Sequence, residues 1–324
     1  MSSTYLEAIR RALGDSMAED PRVFCYGQDI AGSFGGAFKA TKGLADRFPG
    51  RVLNSPISED AQAAVGIGAA LAGARPVIEF QFADFAALAF NQMVNHAATH
   101  WWRTGVSVPV TWRLPVGGTP GGGPFHCQMV DGWLSAHPGL IVVAPATVSD
   151  AYHQLRAAIA CDDPVAFLEH KGLYNHLRAE LDPARIAALP LGRAAVRRPG
   201  RDCTLVSWSG MVHECLRAAE RLAEQGIETE VLDLRCLRPL DTATILQSVE
   251  RTGRLVVATE SWPFGGVAAE VCSVVAQEGF TWLDAPPRRL SAHDTPVPYH
   301  PDLFHAHHPD PARIAAAVIE TVEF

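Results

Sequence analysis

The sequence predicts an α/β protein made of two three-layer domains with mainly parallel sheets. Short, unbroken apolar runs such as Leu140-Ile141-Val142-Val143 and Leu255-Val256-Val257-Ala258 have the length and character of strands buried on both faces. Between such runs lie longer segments whose apolar residues recur every three or four positions, as they do on a helix packed by one side. The two patterns alternate almost end to end, which is how a parallel sheet covered by helices is written in sequence.

The elements follow in order. Leu6, Ile9, Leu13 and Met17 mark a first helix, with Ser3 or Thr4 as its cap and Asp20-Pro21 as its stop. Val23 to Tyr26 forms a strand closed by Gly27, and Val52-Leu53, Val77–Phe80, Val108–Trp112, Leu140–Val143 and Val165–Leu168 supply the next five. Helices fit between them at Glu59–Gly73, Phe85–Trp102 and Ser149–Cys161. The stretch Gly172–Asp202, broken by Asp182-Pro183, Leu189-Pro190 and Pro199-Gly200, predicts a connection between domains. Alternation then resumes, with strands at Thr204–Val206, Val231–Leu234 and Leu255–Ala258. Helices are expected at Met211–Gln225, Asp241–Arg251, Val267–Gln277 and Pro311–Val322. The expected domains are 1–186 and a smaller 187–324.

Composition narrows the function. With 324 residues, 48% of them apolar, there is material for two cores. A formal charge of −8 argues against a protein built to bind nucleic acid phosphates. No apolar run approaches the roughly 20 residues of a membrane-spanning helix. The first helix lacks the apolar centre of a secretion signal, and the 7 cysteines are scattered with no CxxC pair. Reduced thiols in a bacterial cytoplasm are the expectation.

Gly66-Ile67-Gly68 looks like part of a dinucleotide fingerprint, but it sits inside a helix, where small residues serve close packing. Asn54-Ser55-Pro56-Ile57-Ser58-Glu59 is more telling: a strand ends, Pro56 turns the chain, and Glu59 opens a helix. An acid there suits the helix dipole. It also stands at the carboxyl end of a strand, where open α/β sheets bind ligands, and a carboxylate among apolar neighbours can share a proton with a ligand nitrogen. The next strand delivers Gln81 and Phe85, the latter able to stack on a planar ring. After the following strand, the glycine-rich run Gly117–Gly123 leads to His126. Three strand ends thus bring Glu59, Phe85 and His126 to one expected rim.

These residues resemble the beta chain of the thiamine-diphosphate-dependent first component of 2-oxo acid dehydrogenase complexes. The likeness spans nearly the whole chain. It rests on Gly27-Gln28-Asp29, Ser55 to Glu59, Gln81-Phe82-Ala83-Asp84-Phe85 with Asn91 to Asn95, Arg113-x-Pro115-x-Gly117, His126-x-Gln128, Pro138-Gly139-Leu140, Arg235 to Pro239 and Asp294-Thr295-Pro296. It implies a transketolase-like fold: a pyrimidine-binding domain, then a C-terminal domain, in a heterotetramer of two alpha and two beta chains. It further implies that Glu59 hydrogen-bonds the cofactor's aminopyrimidine and so activates it. Phe85 would pack on that ring with Gln81 nearby, and His126 would handle protons around decarboxylation and acyl transfer. Branched-chain or pyruvate-type enzymes would then oxidatively decarboxylate a 2-oxo acid and acylate the lipoamide of a lipoyl acyltransferase.

The family's diphosphate and magnesium motif, GDG followed by an asparagine, lies on the alpha chain and is missing here, so magnesium is expected mainly on the partner. The resemblance also implies a potassium ion on backbone carbonyls between Ala158 and Asp163, with Cys161 among them. Cys127, Met129-Val130-Asp131 and Ala136-His137 depart from the family pattern beside His126. They keep open a carboligase or transketolase-like reaction with an aldehyde or ketone acceptor. A noncatalytic assembly subunit is a third reading, disfavoured because Glu59, Phe85 and His126 are all present. His305, His307 and His308 are expected in a solvated loop.

Overall fold

The structure, a computed structural model, describes residues 2–183 and 190–324. The first half runs β1 (Ser2–Thr4), α1 (Tyr5–Glu19), β2 (Val23–Gly27), α2 (Leu44–Arg47), β3 (Val52–Asn54), α3 (Glu59–Leu71), β4 (Arg75–Glu79), α4 (Ala86–Asn91), α5 (Ala98–Thr104), β5 (Thr111–Val116), α6 (Asp131–Ser135), β6 (Ile141–Val143), α7 (Val148–Ala160), β7 (Val165–His170) and β8 (Arg178–Glu180). The second runs β9 (Ala195–Arg198), β10 (Cys203–Ser207), α8 (Met211–Ala223), β11 (Thr229–Asp233), β12 (Cys236–Arg238), α9 (Thr242–Thr252), β13 (Leu255–Ala258), α10 (Val267–Glu278), β14 (Arg288–Leu290), α11 (Pro301–His307) and α12 (Pro311–Val322). Two sheets with mostly parallel strands make the expected α/β architecture. The boundary expected at 186 falls outside the described residues.

The larger sheet has seven strands in the order β12-β6-β7-β5-β4-β2-β3, all parallel except β12. Side chains alternate across it, so Val77 and Phe167 face one core, with α1 and α7, while Ile78 and Leu168 face the other, with α3 and α4. Full burial of each such side chain contributes about 1.5–3 kcal/mol. Gly66 lets α3 approach the sheet, since a β-carbon there would stand 2.8 Å from Ile78; Gly68 faces open space. The smaller sheet is β14-β13-β10-β11-β9, with only β9 antiparallel.

Several boundaries differ from expectation. The strand expected at Val108–Trp112 is β5, Thr111–Val116, because Pro109 cannot donate to a ladder and the buried Arg113 hides the apolar pattern. The helix expected over Phe85–Trp102 is α4 and α5 joined by a π-helical segment, Gln92–Ala97. Inside the expected connection, β8 pairs with β1 and β9 edges the smaller sheet. β12, from the second half, pairs with β6 and so stitches the halves together. Asp131 does the same, accepting from Trp208 Nε1 at 2.9 Å and Ser261 Oγ at 2.7 Å; burial pushes its carboxyl up to about 6. His305, His307 and His308 are not a solvated loop. They end α11, and His307 is buried, which pushes its imidazole down to about 4. Among the described residues, no group of three or more His, Cys, Asp or Glu is placed to hold a metal ion.

Candidate active site

The residues singled out from sequence sit at the carboxyl edge of four adjacent strands, β5, β4, β2 and β3. β3 ends at Asn54, whose Oδ1 accepts from the Ala31 amide at 2.8 Å. The Ser55 amide donates to the Gly27 carbonyl at 2.8 Å, so the turn into α3 is tied to β2. Ser58 occupies the N-cap position with no side-chain cap bond, and Glu59 follows as the first helical residue, 6% exposed. Its carboxylate accepts from Gln28 Nε2 at 2.9 Å. One turn on, Gln62 Nε2 donates to the Glu79 carbonyl at 2.7 Å, locking the start of α3 onto the end of β4.

Beneath this corner lies a buried ionic cluster. Arg113 on β5 pairs with Glu79 on β4 and, through two bonds of 2.7 Å, with Glu169 on β7. Tyr174 donates to Glu169 at 2.7 Å. Burial pushes the Glu79 carboxyl up, only partly offset by Arg113. The cluster holds the ends of three strands in register directly under the rim.

Beyond β4, Gln81 is half-buried, and Phe82 and Phe85 meet edge to face with centroids 5.7 Å apart. His126 packs against both, at 4.5 Å from Phe82 and 5.8 Å from Phe85. Its Nδ1 lies 3.2 Å from the Gly122 carbonyl, an acceptor, so Nδ1 carries a hydrogen and Nε2 is the ring nitrogen left to meet a ligand. The glycine loop is fixed by its surroundings. Gly117, at φ 58°, stands where a β-carbon would meet His170 at 2.3 Å, and Gly123, at φ 63°, stands against Tyr299. His170 in turn pairs with Glu260 of the second half at 3.1 Å. The Gln128 amide donates to Asp84 at 3.2 Å, closing the loop onto the aromatic block; burial raises the Asp84 carboxyl.

Glu59, Phe85 and His126, expected on one rim, lie at this edge, and Gln81 lies there beside Phe82. The sequence assigns no role to Gln28, Phe82 or Lys171. Lys171 Nζ lies 3.4 Å from the Pro115 carbonyl and 5.5 Å over the Phe82 ring; burial pushes its ammonium down to about 8. The signal was position: Gln28 and Lys171 come directly after β2 and β7, and Phe82 three residues past the end of β4. A cavity of about 600 Å³ between the two halves is lined by His170, His213, Glu260 and His308 and by none of Glu59, Gln81, Phe85 or His126.

Glu59 offers a buried carboxylate, Phe82 and Phe85 aromatic faces and His126 an imidazole at this edge, the donor set that a flat nitrogen heteroaromatic such as the pyrimidine of thiamine diphosphate would need. The potassium stretch does not fit its ion. Ala158, Cys161 and Asp163 lie at the opposite edge of the sheet, where α7 turns into β7. The Ala158 carbonyl accepts from the Cys161 amide at 3.2 Å. The Cys161 and Ile159 carbonyls accept from Arg75 Nη1 at 2.9 and 3.2 Å, and Arg75 also pairs with Asp162. A guanidinium already supplies the positive charge those oxygens attract.

Residues 2–176 match the transketolase pyrimidine binding domain and residues 192–314 the transketolase C-terminal domain. A split-gene transketolase solved as an inactive beta4 tetramer superposes with a TM-score of 0.82 over 99% of this chain and 98% of its own, at 24% identity, which speaks to fold alone. The chain is 42% identical over 305 residues to the pyruvate dehydrogenase E1 component subunit beta-1, mitochondrial, of Arabidopsis thaliana, covering 93% of this chain and 84% of that one. It is 40% identical over 325 residues to the 2-oxoisovalerate dehydrogenase subunit beta of Bacillus subtilis, covering 99% of each. Fold and site therefore define a transketolase-like chain carrying a pyrimidine-binding domain. Within that class, it belongs to the family of beta subunits of the first component of thiamine-dependent 2-oxo acid dehydrogenases.

Proposed function

We propose that this chain works with an alpha chain, in a heterotetramer, to decarboxylate a 2-oxo acid oxidatively and pass the acyl group to the lipoamide of a lipoyl acyltransferase. The observation that carries the reading is Glu59, a buried carboxylate oriented by Gln28 on the same strand edge as the Phe82–Phe85–His126 cluster. When bound, thiamine diphosphate supplies the electron sink for decarboxylation. Glu59 binds the pyrimidine ring and holds or shares a proton at its carboxylate. Phe85, buttressed by Phe82, packs on the ring face, and Gln81 lines the approach. His126, its tautomer set by Gly122, accepts or returns a proton at Nε2.

Magnesium and the diphosphate fall to the alpha chain on this reading. The 7 thiols of this chain, all free, suit a reducing compartment such as a bacterial cytoplasm. The test is reconstitution with the alpha chain, followed by lipoyl-domain acylation with pyruvate and with branched-chain 2-oxo acids. Acyl-lipoyl product is expected from the two-chain complex and none from this chain alone. Acyloin or ketose product without lipoyl acylation overturns the assignment.

A further inference from the structure

The hydrogen bond from Gln28 to Glu59 joins two buried side chains, 3% and 6% exposed, across the gap between β2 and α3. A carboxylate only accepts, so the amide must present its nitrogen, and the 2.9 Å bond fixes both orientations. Gln28 has little freedom to be elsewhere. Behind it, Gly27 presses on β4, where a β-carbon would stand 2.6 Å from the Glu79 carbonyl. Ahead of it, Asp29 takes a left-handed conformation at φ 56°, and its carbonyl accepts from the Gly36 amide at 2.9 Å. Thr41 Oγ1 then donates to the Ile30 carbonyl at 2.7 Å. The Gln28 backbone is therefore held on both sides.

We propose that Gln28 is a positioning residue that sets both the rotamer of Glu59 and the protons available to it; this rests on the function proposed above. An amide donates to Glu59 but neither takes its proton nor offers an ionisable one. Gln28 thus orients Glu59 through Oε1 without setting an ionisable group beside it. An acid at position 28 would behave differently: two carboxyls within one hydrogen bond share a proton, and that proton is held to higher pH.

The test measures binding of thiamine diphosphate, with magnesium, to the reconstituted two-chain complex between about pH 5.5 and 8.5, apart from any turnover. Gln28→Glu is expected to move the pH dependence of binding upward by about one pH unit or more. Gln28→Leu, which removes the donor without adding charge, should weaken binding roughly tenfold at every pH. A side chain serving packing alone would leave the pH profile where it is. Wild-type binding with both variants following the wild-type curve overturns the role of Gln28. A wild-type complex that binds no thiamine diphosphate overturns the proposed function instead. Should Gln28→Leu fail to fold, the near-isosteric Gln28→Glu profile decides alone.

Discussion

Replacing Arg113 by methionine keeps the length of the side chain and removes the one guanidinium of the cluster under the rim. Arg113 is 1% exposed, and its partners Glu79 and Glu169 are 5% and 0% exposed. Without it, the two carboxyls lose their shared cation in a place water does not reach. At least one of them must take up a proton at pH 7. Protonating a carboxyl with an ordinary value near 4.3 costs about 3.7 kcal/mol at that pH, within the range of roughly 3–5 kcal/mol seen when a buried pair loses a partner. The sign of the pH dependence follows. In the variant the folded carboxyl holds its proton to higher pH than the unfolded one, so folding stability falls as pH rises above about 4.3. Lowering the pH from 7 to 5 should thus return up to about 2.7 kcal/mol. Denaturant unfolding of the full chain at both pH values measures this, and adding Glu169→Gln should recover part of the loss. A penalty below about 1 kcal/mol, or one that does not change with pH, refutes the reasoning.

Four further outcomes are expected. Glu59→Gln should leave unfolding within about 0.5 kcal/mol of wild type while lowering turnover of the reconstituted complex by a hundredfold or more; near-normal turnover removes Glu59 from the reaction. His126→Asn should cut lipoyl-domain acylation by about 10²–10⁴-fold, with thiamine diphosphate affinity retained, and an unchanged acylation rate counts against His126. Exchanging potassium for sodium should leave the melting temperature unaltered. Arg75→Ala should cost about 1–2 kcal/mol by uncapping α7; a clear potassium-specific rise in wild-type melting temperature would show that Arg75 has not taken the ion's place.

How much of this was legible in sequence depended on where each signal lies. Glu59 could be found because a strand end, a proline turn and a helix start surround it within six residues. Phe85 and His126 followed because each lies on the connection past the carboxyl end of an apolar strand, Phe85 beyond β4 and His126 at the end of the glycine run beyond β5. The ionic cluster could not be found that way. Arg113, Glu79 and Glu169 lie on three strands far apart in sequence, and each interrupts the apolar run that marks its strand. That is also why β5 was expected three residues early. β12 and β14 are three-residue strands defined by their neighbours, too short for any period to show. Arg75, which opens β4, drew no reading from the sequence. Its meaning depends on Cys161, 86 positions away, being folded beside it.

The rim explains why burial and function run together in this chain. Charged groups under the site are deeply buried and paired, which keeps the ends of β4, β5 and β7 rigid. Groups at the rim itself are held by neutral partners: Glu59 by an amide and His126 by a backbone carbonyl. Fixed charges next to either would set its protonation regardless of ligand, whereas neutral partners fix geometry and leave the proton free to follow chemistry. The same logic bears on the partner chain. The cavities of about 600 and 570 Å³ are lined by none of Glu59, Gln81, Phe85 or His126. Proton transfer through Glu59 and His126 gains strength only when water is excluded from the rim. On the proposed function, the alpha chain must do that, and its surface completes the low-dielectric setting that these two residues need.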